Sequence, residues 1–164
     1  MDATQLTVLG IEQASGLPGV LLWNVSKLWQ RQVHAAVAPL GLSSTNATIL
    51  VTILHLSLDG ERISQAVVAG LSNVDIMTTS NALRTLEKKQ FITRTMDTVD
   101  RRANALVLTP AGHTAATEAV HSIAAAHQQF FDVIADDRAY FSELLSRLLQ
   151  AHGPDKSVAI NDKT

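Results

Sequence analysis

No cysteine occurs anywhere in the 164 residues. Disulfides, thiol chemistry and thiolate metal sites are excluded, and a cysteine-based redox sensor with them. No run of 18 apolar residues is present, so no membrane-spanning helix is expected. The opening MDATQLTVLGIEQ lacks the basic segment that begins a signal peptide, and a cytoplasmic chain is expected. An excess of either charge is also missing: 13 Lys plus Arg face 15 Asp plus Glu, a net charge of −2. That balance alone favours neither nucleic acid nor membrane. There is no HExxH, no GxSxG and no Gly-rich phosphate loop. Of the six histidines, His113, His121 and His127 stand eight and six residues apart, too far to converge on one helix. No catalytic residue, cofactor or metal site is assigned.

The charge that is present is unevenly placed. Residues 84–102 hold six basic side chains (Arg84, Lys88, Lys89, Arg94, Arg101 and Arg102) against Glu87, Asp97 and Asp100. The window is +3 and the remainder of the chain −5. A local positive patch on an acidic body is a candidate polyanion footprint, although a solvated charged loop has the same composition.

Apolar spacing organises the rest. Residues 17–38 repeat Leu21, Leu22, Val25, Leu28, Trp29, Val33 and Val37 at helical steps, with Pro18 in the first turn and Pro39 and Gly41 at the end. A second helix follows, with Ser43, Ser44 and Thr45 as possible caps and Ile49, Leu50, Ile53 and Leu54 inward. Asp59-Gly60 is a turn. The segment RISQAVVAGL predicts a short helix whose buried side is Ile63, Ala66, Val67 and Leu71. Another helix runs from Val74 or Asp75 to Lys89, with Leu83 and Leu86 inward. Two short helices joined around Ser72-Asn73 have helix-turn-helix spacing. FITRTMDTVDRRANALVLT then predicts a hairpin, with its tip between Met96 and Arg102 and Leu106 and Leu108 on one face. After Pro110 an alanine-rich helix keeps Ala116, Val120, Ile123, Ala124 and Phe131 near one stripe. Residues 137–151 end the chain with an apolar face of Tyr140, Phe141, Leu144, Leu145 and Leu148.

The expected fold is mainly α: a winged helix-turn-helix domain with a small β-hairpin wing, flanked by N- and C-terminal dimerisation helices. The terminal helices carry more apolar surface than a small core needs, which implies a homodimer; closure of a monomeric bundle is the plainer use of the same faces. The expected division is an arm and dimerisation helix at 1–38, the winged domain at 39–111, dimerisation helices at 112–152 and a flexible tail at 153–164.

At residues 78–112, TTSNALRTLEKKQFITRTMDTVDRRANALVLTPAG, the chain resembles the MarR family of winged helix-turn-helix transcriptional regulators. The family pattern is a Thr-led recognition helix ending in Leu-Glu, then an arginine, Asp-x-x-Asp-Arg-Arg and Leu-Thr-x-x-Gly. Leu86-Glu87, Arg94, Asp97, Asp100, Arg101, Arg102, Leu108-Thr109 and Gly112 fit it. PLGLS at 39–43 is a weaker echo, and in element order the resemblance covers about residues 17–150. Two positions depart from the pattern. Gln90 stands where glycine is usual, and glycine there supplies a positive φ at little cost. Asn81 stands where arginine is frequent; arginine pairs with guanine O6/N7, whereas asparagine suits adenine N6/N7.

The resemblance implies a homodimeric, sequence-specific duplex-DNA-binding regulator, a repressor relieved by a small aromatic effector. A recognition helix presents its N-terminal half to the major groove. Thr78, Thr79, Ser80 and Asn81 are short and polar there, with Ser80 and Asn81 expected near base edges and Thr78 on phosphate. Arg84, Thr85 and Lys88 follow one or two turns later, for base or phosphate. Arg102 is expected in the minor groove and Arg101 on phosphate or paired with an acid. Asp100 would brace an arginine and Asp97 the turn backbone, while Arg94 would bridge the hairpin to the helix or to phosphate. Trp23, Trp29, His55 and His113 are the candidate effector-pocket residues, with ordinary packing as their simpler role. Two other classes compete. A winged-helix protein–protein module would tolerate Arg102→Ala and show no salt-dependent duplex binding. A small enzyme or metal-sensing regulator would carry metal detectable by elemental analysis.

Overall fold

A computed structural model describes residues 16–58, 63–96 and 104–153. The Asp59-Gly60 turn, the hairpin tip with Asp97, Asp100, Arg101 and Arg102, the arm before residue 16 and the tail after Gly153 lie outside the described residues. Helix α1 spans Pro18–Val37 and runs into a single 3-10 turn, Ala38–Leu40. Helices α2 (Ser44–Leu58), α3 (Gln65–Ser72) and α4 (Ile76–Lys88) follow. Strands β1 (Ile92–Met96) and β2 (Asn104–Leu108) pair antiparallel, with Ile92 opposite Leu108 and Met96 opposite Asn104. Helix α5 (Pro110–Phe131), a 3-10 turn at Asp132–Ile134 and α6 (Arg138–His152) complete the order. This is the winged helix-turn-helix with flanking helices. Packing divides the chain into two units that meet inside α5, between His127 and Gln128.

Helix ends explain where the elements start and stop. The Ser43 hydroxyl accepts from the Asn46 N–H at 3.1 Å, so Ser43 is the cap among the three candidates before α2. Ser64 does the same for Val67 at the start of α3. Asn73 ends α3 in the left-handed region at φ 52, a conformation asparagine tolerates better than most side chains. It gives the tight turn that swings the chain into α4.

The core of the first unit gathers Ile49, Leu50 and Ile53 of α2, Leu83 and Leu86 of α4, Ile92 and Leu106 of the hairpin, and Ala116 and Ala119 of α5. Two expected faces are corrected. In α3 the buried residue is Val68, not Ala66, Val67 or Leu71, all of which are exposed. Ile63 is buried as expected, but it precedes the Ser64 cap, so a helical phase counted from it points the wrong way. In α5 the buried stripe is Gly112, Ala115, Ala116, Ala119 and Ala126, while Val120 and Ala124 face outward. Ala115, Ala116 and Ala119 enter the core themselves, so the bulkier Val120 does not mark the inner face.

The second unit is described by itself. Phe130 and Phe131 meet edge-on at 5.0 Å between ring centroids, and Phe131 stacks obliquely on Phe141 at 6.2 Å. Tyr140, Leu148 and Leu149 remain exposed along α6.

Gln90 does adopt the shape that glycine takes cheaply. Its φ is 58, and around it Gln90 N–H donates to Glu87 C=O and Phe91 N–H to Leu86 C=O, at 2.9 and 3.0 Å. These are the paired bonds of a Schellman ending with Gln90 at the left-handed position. Gln90→Gly should raise stability by about 0.5–1 kcal/mol, the relieved left-handed strain minus the added freedom of the unfolded chain. A melting temperature about 1–4 °C higher in thermal denaturation is the expected result. A lower one would mean that the exposed glutamine side chain compensates the strain.

Candidate nucleic-acid interface

Helix α4 is the second helix of the pair, and its two faces are sharply divided. Thr79, Ala82, Leu83 and Leu86 are buried. At about 100° per residue, Met77, Asn81, Arg84 and Lys88 fall directly opposite, at i, i+4, i+7 and i+11. All four are exposed, as are Thr78 and Thr85 on the flank. Ser80 is half-buried at the other edge of the stripe.

Thr79 departs from its expected groove-facing position. It is fully buried, and its hydroxyl donates to the Val74 carbonyl at 3.3 Å. A buried hydroxyl needs such a partner, and this one ties the recognition helix to the turn before it. Thr78 sits one residue earlier and outside, where its N–H donates to Asp75 Oδ1 at 2.9 Å. Hydrogen bonds from the Thr78 side chain and N–H hold the Asp75 carboxyl below its ordinary value. A depressed carboxyl is charged throughout neutral pH and the cap weakens only in acid, so α4 starts from a fixed point.

On the outward stripe, Arg84 Nη1 lies 3.5 Å from Asn81 Oδ1, and the Thr85 hydroxyl donates to the Asn81 carbonyl at 3.0 Å. The Asn81 amide is thus held beside a cation. Met77 shares this stripe. A search for polar groups passes over it, although its position four residues before Asn81 places it there.

The wing is anchored from three directions. Arg94, on the inner face of β1, reaches Glu87 of α4 with Nε 3.3 Å from Oε2. The contact joins the hairpin to the helix. Leu106 N–H donates to the Ile63 carbonyl at 2.9 Å, joining β2 to the segment before α3. Thr109 is the third anchor. Its hydroxyl donates to the Gln90 carbonyl at 2.6 Å and accepts from the Gly112 N–H at 3.0 Å. One side chain therefore caps α5 and clasps the turn that ends α4. Gly112 follows from the same contact, because a Cβ there would overlap the Phe91 carbonyl. The Leu-Thr-x-x-Gly spacing is a joint between recognition helix, wing and α5.

The candidate pocket residues lie on three helices. Trp23 is on the exposed side of α1 with Lys27 Nζ 4.7 Å above its ring, and Trp29 meets His127 edge-on at 5.8 Å. His55 and His113 are exposed on α2 and in the first turn of α5. Among the described residues no three His, Asp or Glu side chains are grouped to hold a metal ion, and no single helix is long and apolar enough to cross a membrane.

A tandem helix pair with an outward polar and basic stripe, backed by an anchored hairpin, defines a winged helix-turn-helix of the DNA-binding type. Comparison narrows the class. Residues 42–103 match the MarR family model. The uncharacterized HTH-type transcriptional regulator YdcH of Bacillus subtilis (strain 168) is 34% identical over 77% of this chain and 86% of its own length. The structure is similar to that of CouR from Rhodococcus jostii RHA1 bound to p-coumaroyl-CoA, at TM-score 0.70 and 26% identity over 83% of this chain and 92% of that one. A mutant MarR from E. coli complexed with operator DNA shares the fold, at TM-score 0.70 and 21% identity over 80% of this chain and 92% of that one. The chain belongs to the MarR family of transcriptional regulators, a family of DNA-binding proteins rather than enzymes.

Proposed function

We propose that the chain is a homodimeric, sequence-specific repressor that binds a pseudopalindromic operator and is released by a small aromatic effector. The observation that carries the reading is the outward face of α4. Asn81, Arg84, Thr85 and Lys88 are exposed there, while Glu87, the helix's acid, is drawn off to Arg94. A stripe of donors and cations without a facing carboxylate suits base edges and phosphates. Thr78 and Ser80 flank it for phosphate and base contact. Arg101 and Arg102 would extend the footprint from the wing, shaped by Asp97 and Asp100.

Dimerisation is supported by apolar surface. Leu21, Leu22 and Leu28 of α1 and Leu148 and Leu149 of α6 are all about half exposed or more. Such faces are what an obligate partner covers. The dimer would set half-site centres about 10 bp apart or a multiple of that. Binding over a promoter would exclude polymerase. An effector would relieve it only by preferring a dimer whose two α4 helices no longer match that spacing. The ligand of CouR, p-coumaroyl-CoA, carries an aromatic group, which supports an aromatic effector here, with Trp23, Trp29, His55 and His113 as proposed lining.

Selection of duplexes from a random pool with the purified chain tests this. The expected product is a two-fold symmetric site whose affinity falls steeply with salt. Asn81→Ala should change which sequence wins. Failure to enrich any duplex, or binding indifferent to salt, would overturn the reading.

A further inference from the structure

The outward stripe of α4 contains one side chain with no place in a purely polar interface. Met77 is 70% exposed, in the first turn of the helix. The core of this unit is well filled by Leu83, Leu86, Ile49 and Ile53, and Met77 points away from all of them. Exposing a thioether side chain there costs hydrophobic free energy unless something covers it. Its neighbours on the same face are Asn81, Arg84 and Lys88, the groups that suit DNA, so what covers them would also cover it.

We infer that Met77 reads the 5-methyl group of a thymine in the major groove. The inference rests on the DNA-binding reading above and goes further, to the base recognised. The thymine methyl is the one apolar feature displayed in that groove, and apolar side chains contact it. Methionine is unbranched and polarizable, which lets it follow a methyl without a fixed register. Met77 and Asn81 are one helical turn apart, about 6 Å along the axis. The pair therefore reads within about two base-pair steps: a methyl by Met77 and an adenine edge by Asn81. The half-site should contain an A·T-rich core, which a polar reading of α4 alone does not specify.

The test uses the duplex recovered from the random pool. Each thymine is replaced singly, in both half-sites, by deoxyuridine, which removes the methyl and leaves the hydrogen-bonding edge intact. Binding is followed by anisotropy at fixed salt for the wild-type chain and for Met77→Ala. At one thymine the wild type should lose about fourfold per half-site, the value of one buried methyl group. Met77→Ala should bind the thymine duplex correspondingly more weakly and be indifferent to deoxyuridine at that position, with an unchanged melting temperature because Met77 is exposed. Met77→Leu should restore the preference in part. If the wild type ignores deoxyuridine at every position, or Met77→Ala keeps the full penalty, the methyl-reading role is overturned while DNA binding stands. If no duplex is recovered, the functional reading fails and this inference with it.

Discussion

Gly112→Ala is expected to lower stability by roughly 3 kcal/mol, at the upper end of the overpacking range. For a chain of this size that is a fall in melting temperature of roughly 6–12 °C. The cause is the obstacle a Cβ would meet. It is the Phe91 backbone carbonyl rather than the end of a flexible side chain, so no rotamer change makes room. That carbonyl already accepts the Thr109 N–H at 3.0 Å, and moving it would break the clasp between β1 and the start of α5. Alanine is otherwise the better helix former, so on helix propensity alone the same change would be mildly stabilising. The opposed signs make thermal denaturation decisive. Ala111→Ser, next door and exposed, is the control and should stay within about 0.5 kcal/mol. Gly112→Ala melting at or above the wild type would show that α5 can shift away from Phe91 freely.

Much of the architecture was legible because it is local. The Pro18 start, a cap among Ser43, Ser44 and Thr45, the Gly41 stop and the switch from helical to extended spacing near Phe91 are short-range signals. Leu83 and Leu86 were readable as inward for the same reason: three residues apart on a polar helix, they define one face. The errors arose where two faces were nearly equally apolar. In AVVAG of α3, Val67 and Val68 differ by one position, and only the cap at Ser64 decides which turns inward. In α5, alanines on every side made Val120 look like the core, whereas the alanines of one side are themselves the buried stripe. Within the site, hydrogen-bonding residues were found by type, but Thr79 was counted outward because chemistry was weighed before helical phase. Met77 was missed for the converse reason. The role of Thr109 was beyond sequence altogether, since its partner Gln90 is 19 residues away and meets it only in the folded joint.

The largest expected effect on binding is at the wing. Arg102→Ala should weaken duplex binding roughly tenfold or more and leave the dimer intact. The described base of the hairpin is held on its inner face by Ile92 and Leu106 in the core, and by the Arg94–Glu87 contact to the recognition helix. Arg102 itself lies outside the described residues, and its expected role rests on the Asp-Arg-Arg pattern of residues 100–102. A minor groove narrowed over A·T pairs concentrates negative potential where a guanidinium can enter. A dimer would lose two such cations, so the slope of log affinity against log salt should become shallower by about 2. Arg102→Lys should recover only part of the affinity, because an ammonium keeps its water and lacks the flat fork. Salt-controlled anisotropy with the selected operator reads both quantities, and size-exclusion chromatography reads the dimer. An Arg102→Ala protein with unchanged affinity and slope would remove the wing from the interface and leave α4 to carry recognition alone.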